Sequence, residues 1–189
     1  MLSVKNLPPD LQKKFTRVQQ LFRRELPRIA GHEAQEHFVD NFRRGGFVDN
    51  GLHKWPDVKR RDKSSPWYGF EYKGEKRTFY AFSRNKKSGK THKAARQKRL
   101  NFSQAATTRT VLTSKRNYLM NSIRNRSGPG KATVFTTAPH AQIHNEGGEF
   151  KVFGKHTAQM PQRKFMGHSA ELDKKIEQQI SRQIESIFK

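Results

Sequence analysis

Apolar residues recur at helical spacing in three stretches of the chain. Leu11, Phe15, Val18 and Phe22 follow Pro8-Pro9-Asp10, and proline in a first turn predicts a helix start. Pro27 restarts or kinks the chain. A second stripe then runs through Ala30, Ala34, Phe38 and Phe42 to Gly45-Gly46, a helix stop. Towards the other end, Leu172, Ile176, Ile180, Ile184, Ile187 and Phe188 line one face of a third helix. Ser169 is placed to cap it, with Glu171 and Asp173 in the first turn facing the helix dipole.

Between the second and third helices the period shortens. Residues 47–66 are rich in Gly, Asp, Asn and Pro and read as a loop carrying Trp55. Residues 67–72 and 77–82 alternate and are aromatic, so Lys73-Gly74-Glu75 between them predicts a β-hairpin. Residues 84–108 read as a flexible basic arm or long loop. Structure resumes at Val111-Leu112, with a helical turn through Tyr118, Leu119 and Met120. Residues 121–126 and 131–137 flank Ser127-Gly128-Pro129-Gly130 as a second hairpin, and residues 138–145 form a short helix closed by Gly147-Gly148. Residues 149–153 and 159–165 suggest a last strand pair, in which Pro161 requires an edge or a strand start. Arg163 and Phe165 would alternate there, one side chain inward and one outward. The pattern predicts an α+β fold: an antiparallel β-sheet packed against N-terminal helices and a C-terminal amphipathic helix. The expected organisation is one domain over 1–189, with 67–108 an inserted hairpin plus basic arm.

Charge changes this picture. The chain carries 39 Lys and Arg against 16 Asp and Glu, a net +23, and from residue 76 to 145 there are sixteen Lys and Arg and no acid. A like-charge block stays extended unless a partner screens it, and a field of this size attracts polyanions. Nucleic acid is the first expectation and an acidic protein surface the second. A membrane ranks last, because no basic amphipathic helix with a broad apolar face is evident. The candidate contacts to DNA or an acidic partner are Arg84, Lys86, Lys87, Lys90, Lys93, Arg96, Lys98 and Arg99. Rings interleave with these cations from Tyr80 to Phe102, a pattern able to track phosphates and stack on bases. With only 32% hydrophobic residues and a mean hydropathy of -1.00, the core should be modest and drawn largely from Phe.

Catalytic and metal chemistry find little support. Without Cys there are no disulfides, thiolate sites or thiol nucleophiles. Ser88-Gly89-Lys90-Thr91 echoes the end of a phosphate-binding loop, but Arg84 stands where that motif needs Gly. His140 and His144 share a helix face near Glu146, but Ala141 stands where a zinc-protease pattern needs Glu, and no third ligand is placed. Acids are too sparse for a paired-carboxylate site, and no Gly-x-Ser-x-Gly elbow exists. Neither enzymatic activity nor a cofactor or metal is expected. No zinc-finger, helix-turn-helix or RNP signature points to sequence-specific reading. Neither a signal-peptide h-region nor a run of about 20 apolar residues is visible, so a soluble protein made in a cytoplasm is expected.

Four segments, in order, resemble the phage virion-morphogenesis (tail-completion) family. The first is Phe38-Val39-Asp40-Asn41-Phe42-Arg43-Arg44-Gly45-Gly46-Phe47 followed by Trp55. The second runs from Val111-Leu112-Thr113 to Leu119-Met120-Asn121-Ser122-Ile123; Ser114-Lys115-Arg116 stands where the family commonly has Thr-Gly. The third is Ile143-His144-Asn145-Glu146-Gly147-Gly148, and the fourth is Met160-Pro161-Gln162-Arg163-Lys164-Phe165-Met166-Gly167. The resemblance covers about 25–60 and 110–189 and leaves out 67–108. It implies a structural virion protein, a tail-completion or neck subunit acting in assembly as a homo-oligomeric ring. Neighbouring neck, connector and tail proteins and genomic DNA in the channel are its implied partners. Its implied place is the virion neck or tail terminus, after synthesis in the host cytoplasm. The matched residues Asn41, Phe42, Trp55, Ser122, Ile123, His144, Gly147, Gly148, Pro161, Arg163, Phe165 and Gly167 are expected to maintain the fold. A small basic protein that binds nucleic acid without sequence preference is the alternative.

Overall fold

Proline sets the course of the N-terminal helices. In a computed structural model, which describes residues 8–78, 82–84, 91–93, 99–152 and 156–189, α1 spans Pro9–Gln20 with Pro9 in its first turn. It widens into a π-helical turn, Leu21–Glu25, before α2 begins at Leu26–Arg44. The cause lies at Pro27, which has no N–H to offer the carbonyl of Arg23 four residues back. That carbonyl accepts instead from the backbone N–H of Gly130, at 3.0 Å. Gly45, at φ +68°, then ends α2 in the left-handed conformation that glycine adopts without strain.

The described residues fall into two units, Met1–Trp55 with Lys115–Lys189, and Pro56–Ser114. The first unit continues with strands β1 (Gly46–Val48) and β2 (Leu52–Lys54). They pair antiparallel around Asp49-Asn50-Gly51, within a segment that sequence pattern reads as loop. The Asn-Gly turn signal is present, but three-residue strands leave no periodicity to detect.

In the second unit, the expected hairpin of 67–72 with 77–82 lacks its turn at 73–75, and its residues 79–81 lie outside the described residues. Lys73-Gly74-Glu75 lies inside one strand, β3 (Phe70–Thr78), and β3 pairs with a distant partner, β6 (Arg99–Phe102). Phe70 and Glu75 both lie opposite Phe102, so the residues between them bulge. Between β3 and β6 in sequence, β4 (Phe82–Arg84) pairs with β5 (Thr91–Lys93). Helix α3 (Gln104–Thr108) follows β6. The described parts of 84–108 therefore include strand and helix where the pattern predicts a flexible arm or long loop. Non-local strand pairing has overridden local charge and turn preference.

Back in the first unit, α4 (Tyr118–Asn121) leads into β7 (Ile123–Gly128), which pairs with β8 (Lys131–Thr136) across Pro129-Gly130. Helix α5 (Ala141–Glu146) leads into β9 (Gly148–Val152) and β10 (His156–Met160). Pro161 ends β10, so 161–165 are not strand as the pattern suggested, and Arg163 and Phe165 are both buried. Helix α6 spans Ala170–Phe188.

The fold is α+β, with every described pairing antiparallel and the strands gathered in five two-stranded ribbons. Helix α2 packs on the β7–β8 ribbon, and α6 packs chiefly on α2 and α1 rather than across a sheet. The first unit's core joins Leu21, Leu26, Phe38, Phe42, Phe47, Trp55, Leu119, Ile123, Phe165 and Leu172.

The start of α6 is fixed by Ser169, whose buried hydroxyl accepts from the N–H of Leu172 at 3.3 Å and donates to the carbonyl of Val48 at 2.8 Å. Loss of a cap together with an orphaned buried acceptor should cost about 2–3 kcal/mol. Urea denaturation of Ser169→Ala should show that loss of stability; a loss no larger than that of an exposed Ser→Ala change on α6 would refute the cap's role.

Candidate functional site

Six of the twelve motif residues meet at an irregular segment, and the segment explains why. Residues 161–166 cross the core without ladder partners, so their buried backbone groups need other bonds. The N–H of Arg163 donates to the carbonyl of His144 at 2.8 Å. The indole N–H of Trp55 donates to the carbonyl of Lys164 at 2.7 Å. The Asn145 carboxamide oxygen accepts from the N–H groups of Phe165 and Met166 at 2.9 and 3.0 Å. Asn41 donates to the carbonyl of Phe165 at 3.1 Å while its oxygen accepts from the N–H of Val48, also at 3.1 Å. The Phe165 ring then packs on Phe42 with centroids 5.1 Å apart, and Phe42 meets Trp55 edge-on at 5.5 Å.

The other motif residues shape the approaches to this clasp. Gly147 takes φ +74°, and a Cβ there would lie 2.8 Å from the backbone nitrogen of Gln162. Gly148 opens β9 opposite Met160, and exposed Pro161 closes β10. Gly167 precedes the capped start of α6. Ser122 is buried, donating to the carbonyl of Leu119 at 2.6 Å with the Thr136 hydroxyl also 2.6 Å away. Ile123 is buried at the start of β7, and its carbonyl accepts from Gln35 at 3.1 Å. Asn145 and Gln35 were not singled out from sequence; Asn145 sits inside the third motif, which was its available signal. Glu171 was read only as a first-turn acid, yet its carboxylate also accepts from the N–H groups of Gly51 and Asn50 at 2.7 and 2.5 Å. Burial raises its pKa, but those bonds together outweigh it and hold the carboxyl below the ordinary value.

Two histidines border the clasp. Burial lowers the pKa of His144, and the neighbouring His140 and Arg163 lower it further. Burial likewise lowers that of His37, against an opposing hydrogen bond with the Val48 backbone. His140 and His144 meet ring to ring at 5.6 Å, but among the described residues no three His, Asp or Glu gather as metal ligands.

The basic candidates are placed only in part. Arg84, Lys93 and Arg99 lie on β4, β5 and β6, where Arg84 is opposite Thr91, Lys93 opposite Phe82 and Arg99 opposite Thr78. Lys86, Lys87, Lys90, Arg96 and Lys98 lie outside the described residues. Helix α1 buries none of its residues, and its Leu11 and Phe15 are exposed. Among the described residues, no helix is long and apolar enough to cross a membrane.

Residues 75–185, more than half of the chain, match the model of the phage virion morphogenesis family. The match takes in the end of β3 from Glu75 and the whole of β6, which the four motifs left out, and begins beyond the first motif and Trp55. No curated protein and no solved structure matches the chain.

The histidines give the clasp a pH signature. Both have folded pKa values below 6.5, so their contribution to stability is complete above 6.5 and is lost as pH falls from there through the folded values. Urea midpoints should therefore fall between pH 7.5 and 5.5, and His144→Gln should flatten that fall. A slope unchanged by the substitution would exclude His144 from the effect.

Proposed function

The chain belongs to the phage virion morphogenesis family, and on that premise we propose that it is a tail-completion or neck subunit joining head to tail during assembly. The observation that carries this reading is the family match over residues 75–185, which takes in three of the four motifs. The subunit acts by binding and positioning rather than by catalysis. A neck lies on a rotational axis, so the subunits form a ring through heterologous contacts that close. A first helix that leaves Leu11 and Phe15 exposed has apolar surface to cover in such an assembly. Neighbouring neck, connector and tail proteins are the partners above and below. The basic stretch of 84–99 lies against genomic DNA in the channel, where the net charge of +23 favours phosphate.

Electron microscopy of intact virions carrying a tagged chain tests the placement. Density at the head–tail junction or the tail terminus is expected, with rotational symmetry; absence from the mature particle would sink the assignment. In solution, replacing Lys86, Lys87, Lys90, Arg96 and Lys98 with Gln should weaken duplex DNA binding and flatten its salt dependence by about one unit of slope per lost phosphate contact. An unchanged slope would remove this segment from the DNA interface.

A further inference from the structure

The second unit carries a built aromatic and basic surface outside the 84–99 stretch. Residues 58–70 form consecutive turns, with Arg61 N–H to Val58 carbonyl at 2.9 Å, Ser65 to Asp62 at 3.1 Å and Tyr68 to Ser65 at 3.0 Å. The Gly69 N–H closes the run on the carbonyl of Arg60 at 2.8 Å. Arg60 anchors it from beneath, its guanidinium donating to the carbonyls of Thr110 and Arg109 at 2.7 and 3.2 Å. From this fixed base Lys59, Arg61 and Lys63 are exposed.

Two large rings share the segment. Trp67 is 49% exposed, steadied by edge-on contact with Phe70 at 5.4 Å. Tyr72 sits where β3 bulges from β6 and is 80% exposed. The acids nearby are engaged: Asp57 with Arg61 at 3.2 Å, Glu71 with Arg109 at 2.9 Å, and Asp62 with the N–H and hydroxyl of Ser64 at 2.8 and 2.7 Å. Across Pro56–Ser114 sixteen Lys and Arg stand against four Asp and Glu, so the field of this unit is positive.

We propose that this surface binds single-stranded nucleic acid, with Trp67 and Tyr72 stacking on bases and Lys59, Arg61 and Lys63 set against phosphates. Aromatic platforms in a cationic setting match a polymer that offers both π-faces and negative charge. An acidic protein would satisfy the cations and leave the rings without partners. A duplex keeps its base faces stacked on one another and out of reach. The inference deepens the polyanion reading given above and rests on it, but it names different residues and a different form of nucleic acid.

The two tryptophans supply the readout. Trp55 is 7% exposed with its indole bonded to Lys164, so a strand reaching the protein surface quenches Trp67 alone. The experiment titrates the full chain with oligothymidylate and, separately, with a mixed-sequence duplex, at several salt concentrations. Expected are tighter binding of the single strand and a fall in tryptophan emission. The pair Trp67→Ala and Tyr72→Ala should weaken single-strand binding at least about tenfold without changing the salt slope, while Trp67→Phe with Tyr72→Phe restores it. The triple change of Lys59, Arg61 and Lys63 to Gln should flatten the slope. Far-ultraviolet circular dichroism and urea denaturation verify that each variant is folded. Equal or tighter duplex binding with unchanged emission, or a ring-deleted variant that binds like the parent, would overturn the proposal. Placement in the virion is read independently, so loss of the neck assignment and loss of this surface are separate results.

Discussion

Asn41 is fully buried, and the first unit turns on its carboxamide. Its oxygen accepts from the N–H of Val48, and its amide N–H donates a hydrogen bond to the carbonyl of Phe165. A helix, a short strand and an irregular crossing segment thereby meet at one side chain. The constraint behind this is elementary: a chain that crosses a core outside helix or sheet must find a partner for each buried amide. Asn41, Asn145, Trp55 and the His144 carbonyl share that task for residues 163–166. Once they are in place, the Phe165 ring is held against Phe42, and the following residues deliver Ser169 to the start of α6.

The parts of this fold legible in the sequence are those stated locally. The stripes of α2 and α6, the glycine that ends one and the serine that starts the other each act within a few residues. The Gly-Pro-Gly turn of β7–β8 is equally local. What was not legible is set by distant pairing. Lys73-Gly74-Glu75 has turn chemistry, yet it runs through a strand because β6 supplies a partner from across the unit. Residues 161–165 have a strand-like alternation, but Pro161 ends the ladder and asparagine side chains take over the bonding. At the candidate site, the resemblance drew attention to Asn41, Trp55 and Phe165 without giving a mechanism. Asn145 escaped because one of the residues beside it, His144, carries a more conspicuous chemistry.

These features separate two kinds of residue. The family motifs in the first unit hold the chain in shape, and their side chains point at its own backbone. The surfaces able to meet something else lie elsewhere: the apolar face of α1, and the cations and rings of the second unit. For an assembly protein this division is physically reasonable, since a buried clasp tolerates little change whereas an outer surface can be refitted to a new neighbour.

The bond from Gly130 to the Arg23 carbonyl makes the tip of the β7–β8 ribbon and the break between α1 and α2 two halves of one joint. Neither half is complete alone, because Pro27 denies the helix its own donor and the hairpin tip has no other use for that N–H within its ribbon. The direction in which α1 leaves α2 therefore depends on a contact between residues far apart in sequence. The same joint ties their openings together: a fluctuation that lifts the hairpin tip also loosens the hinge. A neighbour gripping α1 would accordingly be felt at the hairpin through this backbone bond, in addition to the packing of α6 on α1 and α2.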